Sequence, residues 1–246
     1  MGQQLTFANA KEMIAERVSR EIKYGYIVNL GIGLPTLIAN YVPEELDVSF
    51  QAENGIIGMA GISTPETLDP NTVNSAGVNV DVYPGAAFFD SATSFCIIRG
   101  GHVDMTVLGA LEVDQYGNIA SHIIPGKMAP GMGGAMDLVL GAKKVVVAMI
   151  HTNKGKPKLL KHITLPATAL HAVDLIVTDM GMIEVTDKGF KLLETAPGVT
   201  VDEIVAATDA PLIIPEHLKS MADISDAELE KGSMPSDEDL IAKESI

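Results

Sequence analysis

The chain has 246 residues, 47% hydrophobic and 20% charged, which suits a large buried core and excludes a natively disordered chain. Its net charge of −15 argues against an extended nucleic-acid surface, because phosphates need clustered Lys and Arg. Tryptophan is absent and aromatics make up 4%, so the core must be aliphatic, as in parallel strands covered by helices. The single cysteine, Cys96, cannot form an internal disulfide and fits a reducing compartment; within the apolar run 95–98 it reads as a buried, inert thiol. No apolar stretch approaches the ~20 residues of a membrane span, and the N-terminus lacks the basic-then-apolar order of a secretion signal. A cytoplasmic protein is expected.

The first predicted element is a helix. Asn9 followed by Glu12 has the spacing of a capping box, Ile14, Val18 and Ile22 form a stripe, and Gly25 offers a left-handed end. A short strand over 26–30 then runs into Gly31-Ile32-Gly33-Leu34-Pro35, and Pro35 starts a helix over 36–41. Residues 48–51 read as a strand, broken at once by Glu53-Asn54-Gly55. The proline- and asparagine-broken stretch 64–83 reads as irregular connection. Runs at 95–98, 103–108, 145–150 and 175–178 are β-rich and apolar, with turn signals such as Arg99-Gly100-Gly101 between them. Strand, glycine turn and helix in that order predict an open α/β sheet over residues 1–215. Residues 216–246 hold nine acidic and three basic side chains and read as an acidic tail.

Several chemistries are disfavoured by spacing. Gly31-Ile32-Gly33 lacks the third glycine of a dinucleotide fingerprint, and no phosphate-loop spacing precedes Lys127. The histidines at 102, 122, 151, 162, 171 and 217 share no metal-ligand spacing, so no metal site is expected, and each reads as a surface or core residue. No Gly-x-Ser-x-Gly elbow exists. The lysines from Lys154 to Lys161 read better as a solvated loop than as a phosphate contact.

Two segments remain. Glu53-Asn54-Gly55 places a carboxylate just after a strand, at the edge where open sheets bind ligands, although Asn-Gly is also an ordinary turn pair. Gly131-Met132-Gly133-Gly134 precedes a helix predicted from about Ala135; it is either a flexible loop or a set of backbone N–H groups unshielded by Cβ atoms.

Taken together, these segments resemble the family I CoA-transferases, specifically the β-type subunit. The resemblance spans roughly residues 8–215 and rests on Phe50-Gln51-Ala52-Glu53-Asn54-Gly55-Ile56-Ile57-Gly58, which looks like the family's active-site signature. It extends through Asn29-Leu30-Gly31-Ile32-Gly33-Leu34-Pro35, Arg99-Gly100-Gly101-His102-Val103-Asp104 and Pro125-Gly126-Lys127-Met128. One position departs: Ala52 stands where the signature usually has serine, so a hydroxyl beside the glutamate is lost.

The resemblance implies an open, mixed, largely parallel sheet with helices on both faces, as in the superfamily shared with ribose-phosphate isomerases. It implies Glu53 as nucleophile in a ping-pong exchange through a glutamyl-CoA thioester, with Gly131, Gly133 and Gly134 as oxyanion or CoA contacts. Coenzyme A would enter as a thioester substrate, without a resident cofactor. The acids exchanged would be short-chain acyl groups and a small carboxylate such as acetoacetate. An α-type partner subunit would complete a hetero-oligomer, α2β2 in form. The chemistry suits the residues, because carboxylates are ionised at neutral pH and such a nucleophile needs no general base. A sugar-phosphate isomerase and a non-catalytic ligand-sensing module on the same fold are the rival readings.

Overall fold

The structure, a computed structural model, describes residues 7–129 and 131–222. In chain order its elements are α1 (Phe7–Ser19), β1 (Ile27–Leu30), two 3-10 helices (Leu34–Tyr41 and Glu44–Leu46), β2 (Ser49–Ala52), β3 (Ile56–Ile62), β4 (Val80–Phe88), α2 (Ser91–Arg99), β5 (Met105–Leu108), β6 (Glu112–Asp114) and β7 (Ile119–Ala120). There follow α3 (Ala135–Gly141), β8 (Lys144–Ala148), β9 (Thr152–Asn153), β10 (Lys156–Pro157), β11 (Leu159–Leu160), β12 (Leu175–Val177), β13 (Gly181–Thr186), β14 (Gly189–Thr195), α4 (Val201–Ala206), β15 (Leu212–Ile213) and β16 (Lys219–Ser220).

The main sheet runs β15-β14-β13-β12-β8-β5-β1-β2-β3-β4, with β16 also paired to β14. Its centre, β12-β8-β5-β1-β2, is wholly parallel. Antiparallel extensions flank it: β3 and β4 beyond β2, and β13 and β14 beyond β12. Strands buried on both faces favour apolar residues on both sides, and β8 shows the consequence. Val146 and Ala148 pack with Ile14 and Val18 of α1 and with Ile38 of the first 3-10 helix. Val145 and Val147 face the other way, toward Val139 of α3 and Ile204 of α4. Helices therefore cover both faces, and each large aliphatic side chain so buried contributes ~1.5–3 kcal/mol.

A buried charge network pins α1 to the far end of the sheet. Arg17 donates from Nε and Nη2 to the two carboxylate oxygens of Glu194 in β14, both at 2.7 Å. Its Nη1 donates to Glu21 at 2.9 Å, and Glu21 also accepts from Lys144 of β8 at 2.7 Å.

The structure corrects several expectations. Residues 95–98 lie in α2, not a strand. Asp90 caps that helix by accepting from the Thr93 N–H at 2.7 Å, and its apolar residues split so that Ile98 is buried while Cys96 points to solvent. The thiol is thus exposed, contrary to the buried reading. Helix α1 already includes Phe7, so Asn9 and Glu12 sit inside it and no capping box forms there; it ends at Ser19, and Gly25 (φ 70°) serves the turn into β1 instead. The short helix beginning with Leu34 and Pro35 is 3-10 rather than α. The stretch read as irregular to residue 83 contains the start of β4, and β3 was not foreseen as a strand. Within the segment read as an acidic tail, β16 pairs with β14 and Met221 is 5% exposed in the α1-side core; residues 223–246 lie outside the described residues.

Candidate active site

Glu53 owes its position to the way β2 ends. The Gly55 N–H closes a turn on the Ala52 carbonyl at 3.0 Å, and Gly55 holds φ 118°. A Cβ at Gly55 would overlap the Phe89 carbonyl, so only glycine fits there. The Phe89 N–H donates back to the Gly55 carbonyl at 3.0 Å and locks the turn against the end of β4. Glu53 is left half-buried at the carboxyl edge of the parallel strands.

Beneath the carboxylate a polar row crosses the sheet. Asn29 of β1 is in register with Gln51 of β2 and Thr106 of β5, and all three are buried. Asn29 Nδ2 lies within hydrogen-bond distance of Gln51 Oε1 (2.8 Å), the Gln51 carbonyl (3.1 Å) and Glu53 Oε2 (3.3 Å). Gln51 Nε2 in turn donates to Ser94 Oγ of α2 at 3.0 Å. From above, Ser75 Oγ donates to the same Glu53 oxygen, Oε2, at 2.9 Å. Sequence reasoning missed these partners. An asparagine in the otherwise apolar strand Ile27–Leu30 was a signal for Asn29, since a buried amide needs acceptors; Ser75 had none.

The glycine loop comes to the same place. Helices α2 and α3 approach so closely that a Cβ at Gly141 would overlap the Ile98 carbonyl, and Arg99, stacked over Phe95 at 5.5 Å, pairs with Asp137 at 2.7 Å. This packing brings Gly134, just before α3, against the nucleophile candidate: its Cβ would stand 3.2 Å from Glu53 Cγ and 3.4 Å from the Phe95 ring. Gly131 and Gly133 lie earlier in the loop with φ of 85° and 53°, where a Cβ would meet open space. Among the described residues, no backbone carbonyl accepts from the N–H of Gly133 or Gly134. A cavity of about 190 Å³ opens beside β2, lined among others by Ile32, Leu37, Ala52, Met59 and Ser75.

Other polar residues are accounted for by packing. His151 is fully buried, with Nδ1 2.9 Å from Thr178 Oγ1 and Nε2 2.9 Å from Thr208 Oγ1. Burial, and then the charge of Lys158, push its pKa down to about 4. His122 is buried with Nδ1 2.9 Å from Thr168 Oγ1. In the lysine run, Lys154 and Lys156 are exposed on the β9-β10 hairpin, whereas Lys158 is half-buried, and burial lowers its pKa to about 8. Among the described residues, no group of three or more His, Cys, Asp or Glu is placed to hold a metal ion. No described helix is long and apolar enough to cross a membrane.

A carboxylate at the carboxyl edge of an open α/β sheet, facing a glycine loop, marks an α/β enzyme of group transfer. The chain belongs to the coenzyme A transferase family, whose model, Coenzyme A transferase, matches residues 11–207. It is 49% identical over 203 residues to the beta subunit of the acetate CoA-transferase of Escherichia coli, covering 82% of this chain and 93% of that one. It is 45% identical over 201 residues to one subunit of a succinyl-CoA:3-ketoacid coenzyme A transferase of Helicobacter pylori, covering 81% and 97% respectively. Among solved structures, an Escherichia coli acyl-CoA transferase (YdiF) shares the fold with a TM-score of 0.71 at 24% identity, over 93% of this chain. This chain spans only 45% of that protein's length.

Proposed function

We propose that this chain is the glutamate-bearing, β-type subunit of a CoA-transferase that moves CoA between a short-chain acyl-CoA and a small carboxylate such as acetate or acetoacetate. The close approach of Gly134 to Glu53 carries the reading, because it joins the two segments singled out in the sequence into one site. In this reading Glu53 attacks the thioester carbonyl, giving a tetrahedral oxyanion and then a mixed anhydride with release of CoA thiolate. The thiolate attacks the Glu53 carbonyl carbon, expels the first acid and leaves a glutamyl-CoA thioester, which the second acid takes apart by the reverse steps. Backbone N–H groups of the loop at Gly131, Gly133 and Gly134 are suited to the oxyanions, each such donor being worth ~3 kcal/mol. CoA acts as substrate, and the steps call on no resident cofactor or metal.

The site needs a second chain. The relatives of similar length are named as subunits, and the acyl-CoA transferase that shares the fold is a chain more than twice as long. Ile32, Phe88 and Met132, next to the site segments in the chain, are exposed apolar side chains that suit a protein partner. An α-type subunit in an α2β2 assembly is the expected partner, in the cytoplasm, where the lone cysteine stays reduced. The test is to assemble the chain with a companion α-type chain and add acyl-CoA without acceptor acid. A CoA adduct that hydroxylamine converts to a hydroxamate is expected on Glu53, and Glu53→Ala should abolish exchange. An adduct on another carboxylate, or more than about a hundredth of the activity in the variant, would remove Glu53 from the mechanism.

A further inference from the structure

We propose that Ser75 selects which oxygen of Glu53 attacks and then holds the other as charge develops on it. The inference rests on Glu53 being the nucleophile and adds a positioning residue to that reading. The terminal torsion of a glutamate is broad and nearly two-fold, so its oxygens exchange unless something distinguishes them. Here both hydrogen bonds to the carboxylate converge on one atom: Ser75 Oγ at 2.9 Å and Asn29 Nδ2 at 3.3 Å both reach Oε2. Among the described residues Oε1 accepts none.

The loop holds the serine for this contact. Asn54, next to Glu53, donates from Nδ2 to the Val73 carbonyl at 2.7 Å, tying the loop to the turn that presents the carboxylate. Asn74 Oδ1 accepts from the N–H of Ala76 at 2.9 Å and of Val78 at 3.1 Å, while its own N–H donates to the Val78 carbonyl at 2.9 Å. The turn is thus held by hydrogen bonds of its own, and the Ser75 hydroxyl reaches Glu53. The residue directly before Glu53 cannot substitute, because Ala52 packs its methyl into a small apolar cluster with Ile56 and Val80.

The chemistry of the two oxygens follows. Oε1, unencumbered, uses a lone pair to form the C–O bond to the thioester carbonyl; the C–S bond breaks and CoA leaves as thiolate. Oε2 becomes the carbonyl oxygen of the anhydride on the enzyme side. When the thiolate attacks that carbon, the negative charge appears on Oε2, where the Ser75 hydroxyl and the Asn29 amide are already aimed. The first acid then departs carrying Oε1, and the acceptor acid later returns one of its own oxygens to that position. Oε2 stays with the protein through the cycle.

Rate and isotope together test this. The assembled enzyme is given acyl-CoA and an acceptor acid labelled with oxygen-18 in both carboxylate oxygens, quenched after a single turnover, and the Glu53 peptide is weighed; one label is expected. A flip of the free carboxylate interchanges its oxygens between cycles, so the position held by Ser75 is read from the rate. Ser75→Ala should lower kcat by roughly tenfold, with KM for acyl-CoA within about twofold. Ser75→Thr, which keeps the hydroxyl, should behave as wild type. An undiminished kcat in Ser75→Ala, or a loss that Ser75→Thr shares, overturns the role of Ser75 while leaving Glu53 as nucleophile. No label on Glu53 in the wild type overturns both.

Discussion

Replacing Gly134 by alanine tests whether the glycine loop sets the position of the carboxylate. Gly134 has φ −82° and ψ 2°, a conformation open to any L residue, so the substitution strains no backbone. The added methyl would stand 3.2 Å from Glu53 Cγ and 3.4 Å from the Phe95 ring. The second contact is ordinary; the first is short enough that Glu53 must give way by a few tenths of an ångström. A misplacement of ~1 Å at a reacting group costs ~100-fold, so this displacement should lower kcat by about three- to tenfold. Stability should hardly change, since alanine restricts the unfolded chain by ~0.4–1 kcal/mol and offsets the tight contact. The assay is CoA exchange by the assembled enzyme beside a thermal melt of the same sample. Undiminished kcat in a normally folded variant would refute the idea that Gly134 shapes the nucleophile's position. A melting point lower by more than about 5 °C would show that the loop mainly supports the fold. Gly131→Ala is the contrast: at φ 85° it meets backbone strain of ~1–2 kcal/mol but open space, so any loss should come through loop stability.

Two further outcomes concern the core. The fold lowers the pKa of His151 from 6.5 to about 4, so it favours the neutral ring. The stability this contributes is present above pH ~6.5 and lost as the pH falls toward ~4. Between pH ~7 and ~5 the loss should be about 2 kcal/mol, visible in denaturant unfolding and absent in His151→Gln; a slope unchanged by that substitution would assign it to other groups. Met221→Ala should cost about 2–4 kcal/mol in the same assay, because Met221 is buried among the α1-side residues; a loss under about 0.5 kcal/mol would show that the segment after β14 contributes little.

The parts of the fold that could be read from sequence were those where one force decides. The runs in β5, β8 and β12 are apolar at nearly every position because both faces are covered. Helix α2 was misread because Phe95-Cys96-Ile97-Ile98 is locally β-like. What makes it helical is the Asp90 cap and burial of Ile98 with Val103 and Leu138, a neighbourhood that exists only after folding. Strands β3 and β4 escaped because they have exposed positions and irregular register, with Gly58, Gly85 and Pro84 in their interiors. At the site, Glu53 and the glycine loop stood out as local motifs. Asn29, Gln51, Ser94 and Ser75 did not, since they meet Glu53 or one another only through strand register and a folded loop, which no short stretch of sequence encodes.

The pairing of Arg17 with Glu194 bears on how the chain is made. The two residues are separated by 177 positions, and β14, which carries Glu194, can pair with β13 only once nearly all described strands exist. During synthesis α1 is made before every described strand, with Glu21 the nearby carboxylate that Arg17 reaches, and its apolar stripe faces strands not yet synthesised. Long-range closure of this kind slows folding and leaves hydrophobic surface uncovered meanwhile. A nascent chain stopped short of Glu194 would therefore hold a guanidinium without its carboxylate and a sheet without its far end, the state a chaperone would recognise.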